Sequence, residues 1–210
     1  FHPGVIGIAA SKIVDKYHRP TVLIAIEEGL GKGSGRSIPK FNLFRAFTDC
    51  SSHLIQFGGH AYAAGLSIEE ENIDNFCVAM NEVGSRYLQE KDLIPTLRID
   101  SILKLSQIDF ALYKSLSLLE PFGAENPVPT FQSNKVKIKE VKYIGKEKNH
   151  IRFYATQGVG NIAVVAFNFA HIFDSIDIAN EVFDITYELH LNTWNGREKL
   201  ELRLLDLRGM

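Results

Sequence analysis

Two glycine-bracketed segments carry residue types that bind phosphate. One is Gly33-Ser34-Gly35-Arg36-Ser37; the other is Phe57-Gly58-Gly59-His60, followed by Ala63-Ala64-Gly65. Glycine has no Cβ, so a backbone built from it comes close to a ligand. Bare backbone N–H groups and serine hydroxyls hydrogen-bond phosphate oxygens, and arginine grips them with a planar fork. Two such turns in one small domain point to a nucleotide or a phosphate-bearing polymer. Each residue also has a plainer reading: the glycines as tight turns without a ligand, Arg36 as a surface ion pair with Glu27 or Glu28, His60 as a helix cap or a buried, satisfied imidazole.

A second set of candidates lies in the other half of the chain. From Lys135 to Arg152 there are seven basic residues against Glu140 and Glu147, whereas Asp174 to Glu188 holds five acids and no base. A module with one basic flank can track a phosphate backbone while its acidic flank turns away. Lys137, Lys146, Lys148 and Arg152 are the candidate track. Phe153, Tyr154, Phe167 and Trp194 are candidates for stacking bases, and strand alternation sends Phe153 and Tyr154 to opposite faces. The plainer reading is solubilising lysines and core aromatics.

These residues need elements to position them. Ile6, Ala9 or Ala10, Ile13 and Tyr17 recur at helical spacing, predicting a helix over 5–17. Thr21 to Ile26 reads as a strand, Gly29 to Gly33 as a turn and Gly35 to Ile38 as a short strand. A helix capped by Asn42 is expected to run to Leu54. Gly58-Gly59 is read as a break before a short helix from His60, with a strand over 65–68. A helix over 72–89 is expected to turn Ile73, Phe76, Cys77, Met80, Val83 and Leu88 inward. This alternation indicates an α/β layer of about 90 residues. After Pro95, 97–99 reads as a strand and 109–119 as a helix. Strands are then predicted over 135–144, 150–156, 161–168, 182–191 and 199–207, with a bulge in the first and Asn195-Gly196 turning the last hairpin. Five short strands with one larger loop suit a small closed barrel of the OB type. The expected fold is α+β overall: an α/β domain at 1–93, a strand-helix linker at 94–133 and a barrel domain at 134–210.

Composition narrows the function. The chain has 210 residues, 45% of them hydrophobic, and a net charge of −2, so it is not a globally basic nucleic-acid binder. Its two cysteines, Cys50 and Cys77, lack metal-ligand spacing and read as buried free thiols in a reducing compartment, hence a cytoplasmic location. No apolar run approaches the ~18 residues that span a bilayer, so no membrane partner is expected. The opening Phe1-His2-Pro3-Gly4, with no initiator Met, reads as an excised portion of a longer protein.

The motifs also carry a resemblance. His2-Pro3-Gly4-Val5-Ile6-Gly7-Ile8-Ala9-Ala10-Ser11, His18-Arg19-Pro20-Thr21, Gly33 to Ser37, and Phe57 to His60 through Ala63-Ala64-Gly65-Leu66 resemble the DHH-associated domain of the RecJ family of single-stranded-DNA exonucleases. Glu120-Pro121-Phe122-Gly123 with Asn126-Pro127 and Pro129 resembles the segment leading into that family's OB domain. Members often carry glycine where Glu125 stands, and a carboxylate repels phosphate, so that turn is not assigned to substrate.

The resemblance implies 5′-to-3′ hydrolysis of single-stranded DNA in repair and recombination. The implied chemistry uses two metal ions, Mn2+ or Mg2+, held by an upstream Asp-His-His domain. No catalytic or metal-ligating residue is expected in this chain, which alone is expected to be inactive. Its implied job is to hold substrate: Arg36 as a bidentate phosphate ligand, Ser34 and Ser37 donating hydroxyl bonds beside Gly35, Gly58-Gly59 offering backbone N–H groups and His60 donating an imidazole N–H. Single-stranded DNA is the expected partner, with a single-strand-binding protein as a second. Two other readings stand beside this one: a DHH-type phosphodiesterase acting on cyclic dinucleotides or short oligonucleotides, and a non-enzymatic OB-type adaptor.

Overall fold

The structure, a computed structural model, describes residues 4–123, 125–178, 180–194 and 196–209. It divides into two compact units, Phe1–Thr96 and Leu97–Met210.

The first unit is a four-stranded antiparallel sheet with helices. In chain order it runs α1 (Ile6–Tyr17), β1 (Thr21–Glu27), β2 (Leu30–Arg36), α2 (Leu43–Asp49), β3 (Gln56–Gly59), β4 (Ala63–Glu69) and α3 (Ile73–Tyr87). The strand order is β1-β2-β4-β3. Asn42 caps α2 as expected, its side chain accepting from the Arg45 N–H at 3.0 Å. The sheet's inner face and α2 and α3 share a core of Leu43, Phe47, Leu66, Ile68, Phe76 and Val83.

Four sequence expectations fail here. The helix expected to reach Leu54, α2, stops at Asp49. Gly33 is not in a turn: the turn is the two-residue link Glu28-Gly29, both with positive φ (50° and 79°), and β2 begins at once. Left-handed conformation at both positions suits the twist of a tight hairpin. No helix starts at His60, because β3 runs through Gly59 and turns directly into β4. Cys77 is exposed and only Cys50 is buried.

The second unit is a barrel preceded by a short lead-in. β5 (Ser101–Ile102) and α4 (Phe110–Ser117) come first, followed by β6 (Thr130–Ile144), β7 (His150–Gln157), β8 (Gly160–Ala166), α5 (Ala170–Phe173), β9 (Phe183–Trp194) and β10 (Arg197–Gly209). The strand expected over 97–99 appears instead at β5, which lies parallel to β6. The sheet order β5-β6-β7-β8-β10-β9 closes through a further β6–β9 pairing. β8 and β10 are parallel and the other barrel pairs are antiparallel. Five closed strands with one parallel pair and a helix between the third and fourth make the expected OB topology.

Closure depends on the bending of β6. It pairs with β9 through its first half and with β7 through its second, and its register shifts twice, between Ser133 and Val136 and between Lys139 and Lys142. Lys135 and Glu140 have positive φ (55° and 53°) at these bulges. The core holds Val136, Ile138, Ile151, Phe153, Phe183, Ile185, Tyr187 and Leu202. Burying a large apolar side chain contributes about 2 kcal/mol, so this cluster dominates the unit's stability. Tyr187 keeps its hydroxyl bonded at depth, 2.7 Å from Ser133 Oγ, which itself donates to Leu103 O at 2.7 Å. Burial pushes the Tyr187 phenol up to about 12.

Candidate nucleic-acid interface

The glycines of the first unit fall into two sets with opposite reasons for being glycine. Gly31, Gly33 and Gly35 face the core. A Cβ on Gly33 would meet Leu66 side-chain atoms at 2.7 Å, and one on Gly35 would meet Leu43 Cδ2 at 2.5 Å. These positions make room for packing, not for a ligand. Gly58 and Gly65 are exposed; a Cβ on Gly58 would meet nothing within 4 Å, and one on Gly65 only Gly33 O at 3.6 Å. No packing demand explains them.

Strand register builds the outer face around that bare pair. Lys32 pairs with Ser67 and Ser67 with Gln56; one row on, Ser34 pairs with Gly65 and Gly65 with Gly58. In the next row Arg36 pairs with Ala63, whose carbonyl accepts the His60 backbone N–H at 2.8 Å. Lys32, Ser34, Gln56, Gly58, Gly65 and Ser67, with Ile6 of α1, line an open groove of about 430 Å3. Arg36 and His60 therefore share the row beyond the groove's glycine floor. Lys32 is absent from the sequence-based candidates because glycine-rich β2 reads as a turn, and a period of two from Ser34 and Arg36 back to Lys32 is the signal that finds it; Gln56 and Ser67 join it only through the register of β3 and β4.

The polar groups on this face are partly spent. Arg36 Nη1 donates to Ser34 Oγ at 3.1 Å and to Gly35 O at 2.8 Å. Neither Glu27 nor Glu28 pairs with it, since the ion pairs among the described residues are Arg98–Asp100 and Arg152–Glu201. Its Nη2 lies where a Cβ on Gly7 would sit, 2.9 Å away, so α1 passes directly over the guanidinium. Ser37 donates its hydroxyl to Phe41 O at 2.6 Å, which takes that proton out of use for a ligand. His60 is exposed, and its Nδ1 accepts from the Tyr62 N–H at 3.3 Å. That bond sets the neutral tautomer: the proton sits on Nε2, the nitrogen left to donate. Gly59 has φ 141° and a Cβ there would strike Ala63 O at 2.4 Å, so the turn that carries His60 requires glycine.

On the barrel the five predicted residues whose side chains are described fall in three places. Lys137 and Tyr154 line the same cleft of about 520 Å3, together with Lys135 and Lys139. Tyr154 is exposed and Phe153 buried, as alternation requires. Lys146 and Lys148 lie in the β6–β7 turn; Lys148 has φ 53°. Arg152 is committed elsewhere: its Nη2 meets Glu201 Oε1 at 2.5 Å, and Glu201 is buried. It serves that carboxylate through Nη2, with its side chain 45% exposed. The side chain of Trp194 lies outside the described residues, as does Asn195 of the predicted hairpin turn; Trp194 still pairs with Arg197 across it.

Known proteins share both halves of this arrangement. Residues 1–85 match the DHHA1 domain, and residues 99–206 match the RecJ OB domain. The chain belongs to the RecJ family. The single-stranded-DNA-specific exonuclease RecJ of Bacillus subtilis (strain 168) is 33% identical over 221 residues, which is 100% of this chain and 28% of the relative. The protein of that name from Haemophilus influenzae is 31% identical over 210 residues, covering 96% of this chain and 36% of the relative. The crystal structure of RecJ in complex with Mn2+ from Thermus thermophilus superposes with a TM-score of 0.77 at 29% identity, over 99% of this chain and 29% of that one. A second structure of the Thermus protein, in complex with Mg2+, gives a TM-score of 0.76 over 99% of this chain and 31% of that one. The chain thus spans 28% and 36% of the length of these two curated relatives. Both crystal structures hold the Thermus protein with a divalent metal ion. Among the described residues of this chain no three His, Cys, Asp or Glu side chains come together as a metal site requires.

Proposed function

We propose that this chain is the substrate-holding portion of a RecJ-type single-stranded-DNA exonuclease. The supporting observation is the floor of Gly58 and Gly65, bare of side chains and of packing reasons, beside an arginine and an imidazole with donors to spare. A sugar-phosphate backbone can lie close on such a floor, with Arg36, Ser34 and Lys32 offering hydrogen bonds and charge to its oxygens. His60 Nε2–H is the donor for a phosphate near the end of the strand. The barrel adds a second contact surface at Lys137, Lys139 and Tyr154, with Lys146 and Lys148 on its rim. In this reading 1–93 is the groove domain, 94–133 leads into the barrel and 134–210 is the barrel domain.

Hydrolysis of phosphodiester bonds from the 5′ end, with Mn2+ or Mg2+ and in the service of DNA repair and recombination, is the activity we assign to the whole protein. Both cysteines are free, which suits a reducing cytoplasm. No helix among the described residues is long and apolar enough to cross a membrane. The acidic run from Asp174 to Glu188 is the surface we assign to a protein partner, a single-strand-binding protein being the one the family resemblance implies.

Fluorescence anisotropy with a labelled oligothymidine strand tests the reading. Binding is expected, with log K falling linearly as log salt rises. Absence of binding in dilute salt overturns strand holding; preference for a cyclic dinucleotide over the long strand replaces it with the small-substrate reading.

A further inference from the structure

The barrel's outer face holds a second hollow, of about 640 Å3, apart from the lysine-lined cleft. Its wall is Phe167, which follows β8 and is 48% exposed. An aromatic ring left half in water is held from two sides. His150 meets it edge-on with centroids 5.3 Å apart, and the Arg203 guanidinium lies 5.5 Å from its centre. The turn behind the ring is fixed as well: Asn168 has φ 62°, and its N–H donates to His150 Nδ1 at 3.0 Å. The ring is thus ordered before any ligand arrives, which lowers the entropy lost on binding.

The floor is a closed polar network. Glu201 is 6% exposed and uses both oxygens, accepting from Arg152 at Oε1 and from Asn192 Nδ2 at Oε2, the latter at 2.9 Å. Its charge is matched, so it does not repel an anion. Asn192 keeps its carbonyl oxygen as an acceptor, and the imidazole of the exposed His190 on the same wall makes no hydrogen bond among the described residues. An aromatic face, a guanidinium plane, an amide acceptor and an imidazole complement a nucleobase, which has two π-faces and a hydrogen-bonding edge.

We propose that this hollow takes an unpaired nucleobase of a single strand. Phe167 and Arg203 form the stacking platform, and Glu201 is a positioning residue that holds Asn192 and Arg152 at its floor. The proposal rests on the strand-holding reading and adds a third contact to it, distinct from the groove and from the lysine-lined cleft. Phe167 stands among the stacking candidates of the sequence, but its companions His190, Asn192 and Arg203 do not, because they reach it only through the β8–β10–β9 register.

The test compares two strands of equal length and charge, one bearing bases and one of abasic residues, on the 210-residue chain and its Phe167→Ala and Phe167→Trp variants. Phe167→Ala is expected to weaken binding of the base-bearing strand by about tenfold, the loss typical of one stacked base. It is expected to leave the abasic strand's affinity unchanged, and Phe167→Trp to restore base binding. Wild-type binding of the base-bearing strand with no loss in Phe167→Ala overturns the platform alone. Equal losses for both strands also overturn it, since the ring would then act only through the fold. No binding by the wild-type chain overturns the strand-holding reading and the platform with it.

Discussion

The sheet groove and the barrel build their open surfaces in opposite ways. The groove is defined by what is missing, a floor of Gly58 and Gly65 with polar side chains along its edges. The barrel surface is defined by what projects, lysines and aromatics on outward strand positions over a fully packed interior. The lesson is that glycine in a strand has to be read by face. Gly33 and Gly58 look equivalent in the sequence, yet one admits a leucine from inside and the other is open to solvent.

Substitutions at the adjacent glycines Gly58 and Gly59 separate these roles most sharply. Gly59→Ala imposes both a left-handed φ and a clash with the Ala63–Ala64 backbone, and is expected to destabilise the groove unit by roughly 3 kcal/mol or more. Gly58→Ala meets nothing and is expected to change stability by less than about 0.5 kcal/mol while weakening strand binding. Urea denaturation with anisotropy on the same samples checks both. Equal stability losses at the two sites would erase the distinction between a structural and a ligand-facing glycine.

For the barrel the corresponding effect is in pH. The Tyr187 phenol is neutral in the fold and held up to about 12 by burial, against an ordinary value of 10.0. A raised folded-state value gives stability that is fully present below pH 10 and lost as pH climbs toward 12. The loss is expected to be on the order of 2 kcal/mol. Alkaline titration followed at the tyrosinate absorbance should show one phenol lagging until the barrel opens. Simultaneous titration of all the tyrosines would contradict the buried environment.

Arg152→Ala leaves the buried Glu201 without its cation and is expected to destabilise the barrel by about 1–2 kcal/mol, screened by the arginine's partial exposure. Replacing the pair together, as Arg152→Met with Glu201→Gln, should recover most of that loss in thermal unfolding.

Arg36→Ala is expected to cost the groove about tenfold in strand affinity and to shallow the salt slope by about one unit, with little change in stability. Gly7→Ala sharpens this result. Its Cβ would meet the far end of the Arg36 side chain at 2.9 Å and Ser34 Oγ at 3.1 Å, both side-chain atoms that can shift, and alanine favours a helix over glycine, so folding should hold while affinity falls. A Gly7→Ala protein that binds as the wild type does would mean the guanidinium's present position is irrelevant.

The smallest effect is kinetic. Cys77 should react at once with a thiol reagent and Cys50 only when the groove unit opens, since Cys50 is buried and its thiol pushed up by that burial.

The two halves differ in how legible they are. The barrel follows from period-two alternation at Phe183, Ile185 and Tyr187 and from its hairpin signal, because a half-buried strand writes its faces into the sequence. The second bulge in β6 shows as broken alternation at Val136, Ile138 and Val141, whereas the first, between Ser133 and Val136, straddles the start of the predicted strand. In the first unit the alternating core positions of β2 are glycines, which have low strand preference and mimic a turn, so the strand is hidden by its own packing solution. His60 stands out in the sequence, but it sits on a strand-to-strand turn instead of a helix. Arg152 looks free because its partner Glu201 lies 49 residues away, beyond any local signal.

The floor formed by Gly58 and Gly65 has one further consequence. Main chain alone presents the same atoms to every incoming monomer, so it offers no grip on base identity and no side chain to snag on one. A strand resting there would advance by equal, low-friction steps whatever its order of bases, and any pausing along it would have to originate elsewhere in the protein.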